Sequence, residues 1–540
     1  LPLPDPQTVP LKPMKDFKLI GKSAMRLDTP GKVNGSAVYG IDARVPGMKV
    51  ATLAASPVFG GRLRSVDDSK AMAVRGVRQV VKLDDAVAVV ADHMGAAKKG
   101  IAALDIQWDD GHNGKLTSAD IVRNMDAASK KSAVVARAEG DFAKALESAT
   151  KQIEAIYEVP FLAHAAMEPM NCTVHVRPDS CEVWVGTQVL ARAQAAAAKT
   201  AGLPLEKVTV HNHLLGGGFG RRLEIDGVIR AVQIAKQVDA PVKVIYTREE
   251  DIQHDMYRPY FYDRLAAGLD GQGMPIAWNH RITGSSILAR FLPAAFNNGI
   301  DPDTVDGAAE PPYALPNILV EYVRHEPPDI PTAFWRGVGP THNVFMVESF
   351  IDELAAAAKK DPVAYRRALL DRNPRAKAVL DLAEEKAQWD RPRQGVGRGV
   401  SVQFAFGTYM AQVAEVKIGN DGSVSVQRVV CALDCGVVVN PDTVRAQVES
   451  AVIFGISAAL YGEVTFKNGR VEQSNFHDYR VLRINEVPTI DVHIVESREA
   501  PGGMGECGTS CIAPALTNAI YAATGTRIRK LPIADQAKRA

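Results

Sequence analysis

Residues Val208 to Tyr246 read VTVHNHLLGGGFGRRLEIDGVIRAVQIAKQVDAPVKVIY, and the order of this stretch decides the fold class. Val208 to Leu215 reads as a strand and Gly216 to Gly220 as a glycine loop. Val228 to Gln237 has helical spacing, and Val242 to Tyr246 is a strand again. This β-loop-α-β order belongs to folds in which helices cover a sheet. The loop matches a dinucleotide fingerprint only in part. Arg221 stands where the third glycine should be, which argues against a Rossmann site. Glycines let a backbone approach a ligand closely and turn its amides inward, and Arg221 and Arg222 follow at once. The run suits an oxyanion or phosphate; it equally suits a tight turn with solvated arginines.

Outward from this unit, the chain divides by composition. Residues 14–135 mix short β-rich runs (Met48 to Ala54, Gln79 to Leu83, Ala86 to Val90) with Ala/Lys-rich helical stretches. Residues 136–385 alternate strands and helices, among them a strand at Val183 to Val185 and a helix at Leu190 to Gly202. Residues 386–540 open with strands Gln412 to Ile418 and Val424 to Val430, joined by a turn at Asn420-Asp421-Gly422. Helices follow at Val444 to Leu460 and Ile512 to Thr524, the latter with Pro514 in its first turn, where proline is tolerated. Residues 1–13 hold five prolines, Pro2, Pro4, Pro6, Pro10 and Pro13, and read as an extended linker. A linker at position 1 suggests that a segment preceded it. A chain of 540 residues is too long for one core.

Hydrophobic residues make up 46% and charged residues 23%, as in ordinary globular chains. A net charge of +1 gives no reason to expect nucleic acid or an acidic membrane as partner. No apolar run of about 18 residues offers a membrane span. The six cysteines form no C-x-x-C. Cys431/Cys435 and Cys507/Cys511 are spaced i,i+4 and read as small buried hydrophobes, with shared metal ligation or a disulfide as the alternative. H-E-x-x-H and G-x-S-x-G are absent, and Gly21-Lys22-Ser23 lacks the leading glycine of a P-loop.

Three residues have chemistry to offer. Glu506 lies in P-G-G-M-G-E-C-G-T-S-C, Pro501 to Cys511, a glycine-rich loop just before a helix. There a carboxylate is held ionised and can serve as a general base, or is simply a helix-start acid. Cys507 beside it also admits a thiol hydrolase. Arg336, in Ala-Phe-Trp-Arg-Gly-Val-Gly, can bind a carbonyl or a developing negative charge, or can be a structural cation–π arginine. Gln188 ends a strand and can donate to an oxo group.

The segments, in their order and spacing, resemble the molybdenum subunit of the xanthine dehydrogenase/aldehyde oxidoreductase family, in its isoquinoline 1-oxidoreductase β-subunit-like branch. The resemblance rests on Ile20-Gly21-Lys22, Arg26-Leu27-Asp28 and Lys32-Val33-Asn34-Gly35. It continues through LAHAAMEPMNC (Leu162 to Cys172), GGGFGRRLE (Gly216 to Glu224), Trp335 to Glu348, CALDCGVVVNP (Cys431 to Pro441), SNFHDYR (Ser474 to Arg480) and Gly502 to Pro514. It covers nearly all of residues 14–535.

The resemblance implies an α+β, multi-domain architecture. Behind linker 1–13, a small hammerhead-like α+β domain at 14–135 is followed by molybdopterin-binding α/β domains of the xanthine oxidase family, first part 136–385 and second part 386–540. It implies molybdenum held on molybdopterin cytosine dinucleotide, with no side chain directly on the metal, and [2Fe–2S] clusters on a partner subunit. Glu506 matches the family's glutamate base, which deprotonates the oxygen nucleophile that attacks an electron-poor carbon. Gln188 matches the glutamine that hydrogen-bonds a molybdenum oxo ligand. Phe219 and Gly220, with Gly217, Gly218 and Arg221, match the loop against the cofactor, and Gly505 flanks the base. Arg336 matches an arginine that orients substrate, and Arg366 one below the metal.

The implied reaction is oxidation of an aldehyde or N-heteroaromatic carbon with water as oxygen source. A scaffold or binding subunit that kept the fold without the cofactor is the alternative. The chain departs from the family in three ways. The second glycine segment, Glu-Met-Gly-Gln-Gly, is not found, so a separate or cleaved N-terminal polypeptide is expected to complete the site. Cys507, Ser510 and Cys511 stand where the branch often has prolines. The aromatic pair that sandwiches planar substrates has only Phe404 and Phe406 as candidates. Many members of the branch carry an export signal, so the expected location is periplasmic, otherwise cytoplasmic.

Overall fold

The computed structural model describes all residues except 1, 2, 6, 7, 11, 392 and 538–540, and the side chain of Asp535. Pro2 and Pro6 of the expected linker lie outside the described residues. Its described prolines are exposed, as are nearly all residues up to Ala37. This run carries a short 3-10 turn at Met14–Asp16 and a short helix at Thr29–Val33. It lies along the C-terminal half, where the Gly21 amide donates to the Val439 carbonyl (2.9 Å) and Asn440 Nδ2 to the Ala24 carbonyl (3.0 Å).

The first strand begins only at Lys49, and it leaves the segment expected to be a separate α+β domain. Lys49–Ala55 pairs in parallel with Val242–Ile245, with Val50 opposite Lys243. Together they build a seven-stranded sheet in the order Val208–Asn212, Cys181–Val185, Asn171–Val176, Val242–Ile245, Lys49–Ala55, Ala86–Ala91 and Val77–Lys82. Strands from both sides of residue 135 share this sheet, which corrects the expectation that 14–135 stands alone. The cause is a shared core: Ala51 and Leu53 are buried in one cluster with Val242 and Val244 of the strand pair that joins the two sides.

A five-stranded sheet holds Val134–Ala138, Ile318–Arg324, Pro275–Gly284, Phe261–Leu269 and Lys151–Val159. A four-stranded sheet holds Gly397–Ala405, Thr408–Ile418, Val424–Asp434 and Thr489–Ile494. It contains the expected antiparallel hairpin, whose turn uses a left-handed Gly422 (φ +86°). Between these sheets run two buried helices, Val338–Ala357 and Cys507–Thr524, and beside them Pro441–Tyr461. One continuous core joins the five-stranded sheet, the four-stranded sheet and these helices, so residue 386 is not a boundary between cores. The helix expected from Val444 starts a turn earlier, because Asn440 caps it through the Asp442 amide and Pro441 sits at its first position.

The last helix corrects a second expectation. It starts at Cys507, not Ile512, so Pro514 lies in its interior. A proline there removes one helix bond and crowds the carbonyl four residues back. Side chains from the neighbouring strands brace this stretch. Ser401 Oγ donates to the Cys511 carbonyl (2.6 Å), Gln412 Nε2 to the Gly508 carbonyl (3.3 Å), and Gln403 Nε2 to the Cys507 carbonyl.

All six cysteines are free and buried, as small hydrophobes. Among the described residues no helix is long and apolar enough to cross a membrane.

Strand Gly397–Ala405 crosses the Cys507–Thr524 helix backbone to backbone. A Cβ on Gly399 would stand 2.2 Å from the Ala519 nitrogen and 2.3 Å from the Ala515 carbonyl oxygen. Gly399→Ala should therefore destabilise by at least about 1–3 kcal/mol. It should lower the thermal unfolding midpoint, while Gly271→Ala, where a Cβ meets nothing within 4 Å, leaves the midpoint nearly unchanged. Equal midpoints for the two variants would show that the helix is free to move away.

Candidate active site

Strand Val208–Asn212 ends in the loop that leads to Gly216–Gly220. The loop is bent by positive φ at Gly217 (+104°), Phe219 (+54°) and Gly220 (+112°). A non-glycine residue at positive φ is held there by its surroundings. Here the holding is direct: the Arg336 amide donates to the Phe219 carbonyl (2.9 Å). A Cβ on Gly220 would lie 1.9 Å from the Phe334 carbonyl oxygen, and one on Gly218 would lie 2.7 Å from Gln188 Oε1. The glycines are required because neighbouring chain occupies the space of their side chains.

Around this loop lies a cavity of about 590 Å³. Gln188, Gly218, Phe219, Gly220, Arg336 and Glu506 all line it, so the structure brings six sequence-predicted residues together from four distant segments. Glu506 is the N-cap of the Cys507–Thr524 helix. Its Oε1 accepts from the Gly337 amide (2.9 Å) instead of capping its own helix, and the helix N-terminus favours its negative charge. Arg336 Nε donates to the Gly505 carbonyl (2.8 Å) and Nη1 to Ser450 Oγ (3.0 Å). Its Nη2 donates to both the carbonyl and Oε1 of Gln447 (3.3 and 3.2 Å). Burial lowers the pKa of Arg336 from the ordinary arginine value, and the charge of Glu506 opposes that effect. Gly505 thus serves through its carbonyl.

Other predicted residues fall elsewhere. Gly217 is set back, its Cβ position facing the Phe219 ring and Ala166. Arg221 turns away from the cavity. Its two terminal nitrogens bind Asp226 (2.7 and 2.6 Å) and its Nε pairs with Asp255 (2.7 Å), so the guanidinium is not offered to an anion. Arg222 is likewise buried, donating to the carbonyls of Glu168 and Pro169 (3.0 Å each). Arg366 lies in the core, bound to the carboxylate and carbonyl of Glu348 (2.9 and 2.8 Å). A buried guanidinium needs such partners, and they hold Arg221 and Arg366 off the cavity. Phe404 packs on Tyr409 (4.5 Å between centroids) and Phe406 on the core. The Cys507 thiol faces the carbonyls of Ala405 and Gly503, and burial, then Glu506, pushes its pKa up to about 12. It stays protonated, which disfavours a nucleophilic role.

Sequence reasoning missed Gln447, Ser450 and Phe454, spaced i, i+3, i+7 along one face of the Pro441–Tyr461 helix. Two polar residues on that stripe were the available signal. Phe454 stacks between Phe219 and Trp335, each ring 4.5 Å away. Beyond this stack is a second, largely apolar cavity of about 450 Å³, with Phe219, Trp335 and Ser450 in both walls.

Two molybdopterin cofactor-binding domain families match the chain, at residues 126–370 and 351–488. The isoquinoline 1-oxidoreductase subunit beta of Brevundimonas diminuta is 35% identical, over 97% of this chain and 69% of the relative. This chain belongs to the xanthine dehydrogenase/aldehyde oxidoreductase family, as a molybdopterin-binding subunit of the isoquinoline 1-oxidoreductase β type. A second member of the match, the membrane-bound aldehyde dehydrogenase of Gluconacetobacter polyoxogenes, is 30% identical over 97% of this chain and 73% of its own length. The fold of this family member agrees with that of the quinoline 2-oxidoreductase of Pseudomonas putida 86. That match has a TM-score of 0.82 at 14% identity, covering 96% of this chain and 98% of the other. The aldehyde oxidoreductase of Desulfovibrio gigas gives 0.78 at 16%, covering 97% and 81%.

The pocket of this molybdenum-dependent oxidoreductase subunit fits the family's cofactor. Among the described residues no three metal-ligating side chains cluster. What the cavity offers is a glycine cradle, an amide side chain and a carboxylate, which suits a group that brings its own metal ligands. Gln188 and the Gly218–Gly220 loop are the lining residues that would hold it.

Behind Glu506 a second carboxyl, Asp303, has its pKa pushed up to about 6 by burial, then by Asp301, Asp306 and Glu506. A raised acid favours folding when protonated, and that contribution is lost as pH rises through about 6. Asp303→Asn should therefore raise the thermal midpoint relative to wild type on the alkaline side of that value. The gain should vanish as pH falls well below it; a gain independent of pH would remove the titration from the explanation.

Proposed function

We propose that this chain is the catalytic part of a molybdenum hydroxylase that oxidises an aldehyde or N-heteroaromatic carbon, with water as the oxygen source. The observation that carries the reading is the convergence of Gln188, the Phe219–Gly220 turn, Arg336 and Glu506 on one cavity. A scaffold that had lost its cofactor has no need of that convergence.

Molybdopterin, when bound, supplies the two-electron oxidation and the oxygen-transfer chemistry. The chain's own residues supply position and proton transfer. Glu506 is the base: the Gly337 amide, donating to its Oε1, holds the carboxylate at the cavity wall. Arg336 sets positive charge beside it, and its ties to Gly505, Ser450 and Gln447 keep that charge from swinging away. The Gln188 backbone amide donates to the Arg222 carbonyl (3.0 Å), which ties this residue to the end of the glycine loop, and its Oε1 lies against Gly218. The aromatic wall of Phe219, Phe454 and Trp335 suits a planar or apolar substrate.

The cofactor is assigned as the cytosine dinucleotide form, and electrons leave to a [2Fe–2S] subunit. The relatives named for isoquinoline and nicotinate oxidation are themselves called subunits, which supports an assembly. The exposed apolar Met25, Leu27 and Val439, on segments joined by the Gly21 amide bond to Val439 and the Asn440 side-chain bond to the Ala24 carbonyl, suit a covering chain. The branch resemblance supports a periplasmic location.

Natively purified complex should contain about one molybdenum per chain, together with an iron–sulfur subunit. Glu506→Gln should keep that metal and lower turnover by about two to four orders of magnitude, through loss of the base. Near wild-type turnover in the variant would remove Glu506 from the chemistry; absence of molybdenum from the intact complex would favour the scaffold.

A further inference from the structure

The stretch from His164 to Glu168 grips the glycine loop at both ends. At one end the Glu168 carboxylate accepts from the Gly216 amide (2.7 Å), while the Glu168 amide donates to the Gly216 carbonyl (3.0 Å). At the other, His164 Nε2 stands 2.7 Å from the Phe334 carbonyl oxygen, the atom that presses on Gly220. His164 is 2% exposed and serves no part of the proposed chemistry.

Its protonation follows from its neighbours. A carbonyl oxygen only accepts, so Nε2 carries hydrogen. His164 Nδ1 lies 3.0 Å from Asp255 Oδ2. That oxygen already accepts from the His164 amide (2.6 Å), and Asp255 Oδ1 accepts from the Met256 amide (2.8 Å) and pairs with Arg221 Nε (2.7 Å). Asp255 so holds His164 on one oxygen and Arg221 on the other. The other charged or titratable groups near the pair are Asp251, Tyr257, Arg258 and Tyr479.

We propose that His164 is a positioning residue. Clamped between Asp255 and the Phe334 carbonyl, it sets the spacing between the Phe219–Gly220 turn and Arg336. The chain of contacts runs from Asp226 near the surface through Arg221, Asp255 and His164 to Phe334, two residues before Arg336. Phe334 presses on Gly220, and the Arg336 amide binds Phe219. Arg221 acts at the site through this chain and not by touching a ligand.

The kinetic part of the test rests on the hydroxylase reading; the spectroscopic part does not, so the two can fail separately. In the native complex with histidine labelled by ¹⁵N, one buried imidazole should carry hydrogen on Nε2, in a bond to a carbonyl oxygen. That signal should be missing in His164→Gln. His164→Leu should lower kcat per molybdenum by about tenfold to a hundredfold with little change in KM, as misplacement of a site predicts. His164→Gln, which keeps a donor for the Phe334 carbonyl, should recover most of the loss. A His164 signal with no hydrogen on Nε2 would overturn the clamp even in a complex with no turnover. So would a kcat per molybdenum in both variants equal to wild type. If His164→Leu does not fold, the Gln variant and the wild-type spectrum still decide.

Discussion

The contact on which the site depends is the crossing of strand Gly397–Ala405 over the Cys507–Thr524 helix, with no side chain between them. Gly399 lets backbone meet backbone at Ala515 and Ala519, and this fixes how far the helix lies from the four-stranded sheet. The helix is buried over its first fourteen residues and carries Glu506 at its N-terminus. The position of the base is therefore an outcome of core packing. A carboxylate on a mobile loop would have to be ordered at each turnover, whereas one at the end of a buried helix is ordered by folding.

Burial of this kind needs the polar groups along it to be paired, and the core shows how. Glu348, on the Val338–Ala357 helix, accepts from Arg366, from Tyr313 and from the Val402 amide (2.9 Å). Glu348 so joins that helix to the sheet that carries Gly399. The matched role of Arg366 below a metal gives way to a structural one, because removing either partner would strand a buried charge. The same logic governs Arg221. Two arginines after a glycine loop look like an anion site in sequence, but Asp226 and Asp255, five and thirty-four residues further on, take up the first of them.

What could be read in the sequence follows from this. The Gly216–Gly220 turn, Arg336 and Glu506 were legible because glycine runs and lone charged residues in apolar surroundings are strong local signals. The hairpin at Asn420-Asp421-Gly422 was legible for the same reason. The sheet shared by Lys49–Ala55 and Val242–Ile245 was not, since nothing local says that strands nearly two hundred residues apart will pair. Nor was the start of the last helix. Pro514 looked like a first-turn proline, and the structure places it inside a helix whose carbonyls at Cys507, Gly508 and Cys511 also accept from Gln403, Gln412 and Ser401, a hundred residues away. The directions of arginine side chains were illegible throughout, being set by partners distant in sequence.

Close approach also explains why the missed residues lie where they do. The Pro441–Tyr461 and Cys507–Thr524 helices meet at a pair of glycines. A Cβ on Gly455 would fall 2.4 Å from Ile512 and 2.8 Å from the Thr509 carbonyl oxygen, and one on Gly508 2.9 Å from the Ala451 side chain. This crossing brings Gln447 and Ser450, a turn or two before Gly455, beside Gly505 and Glu506. There they take up the hydrogens of Arg336. Four residues further on, the same face places Phe454 between Phe219 and Trp335. One helix thus fixes the charge of the polar cavity and the ring that divides it from the apolar one. A change in the packing of Gly455 or Gly508 would alter both together, so the helix crossing couples the two cavities, alongside the Phe219, Trp335 and Ser450 walls that they share.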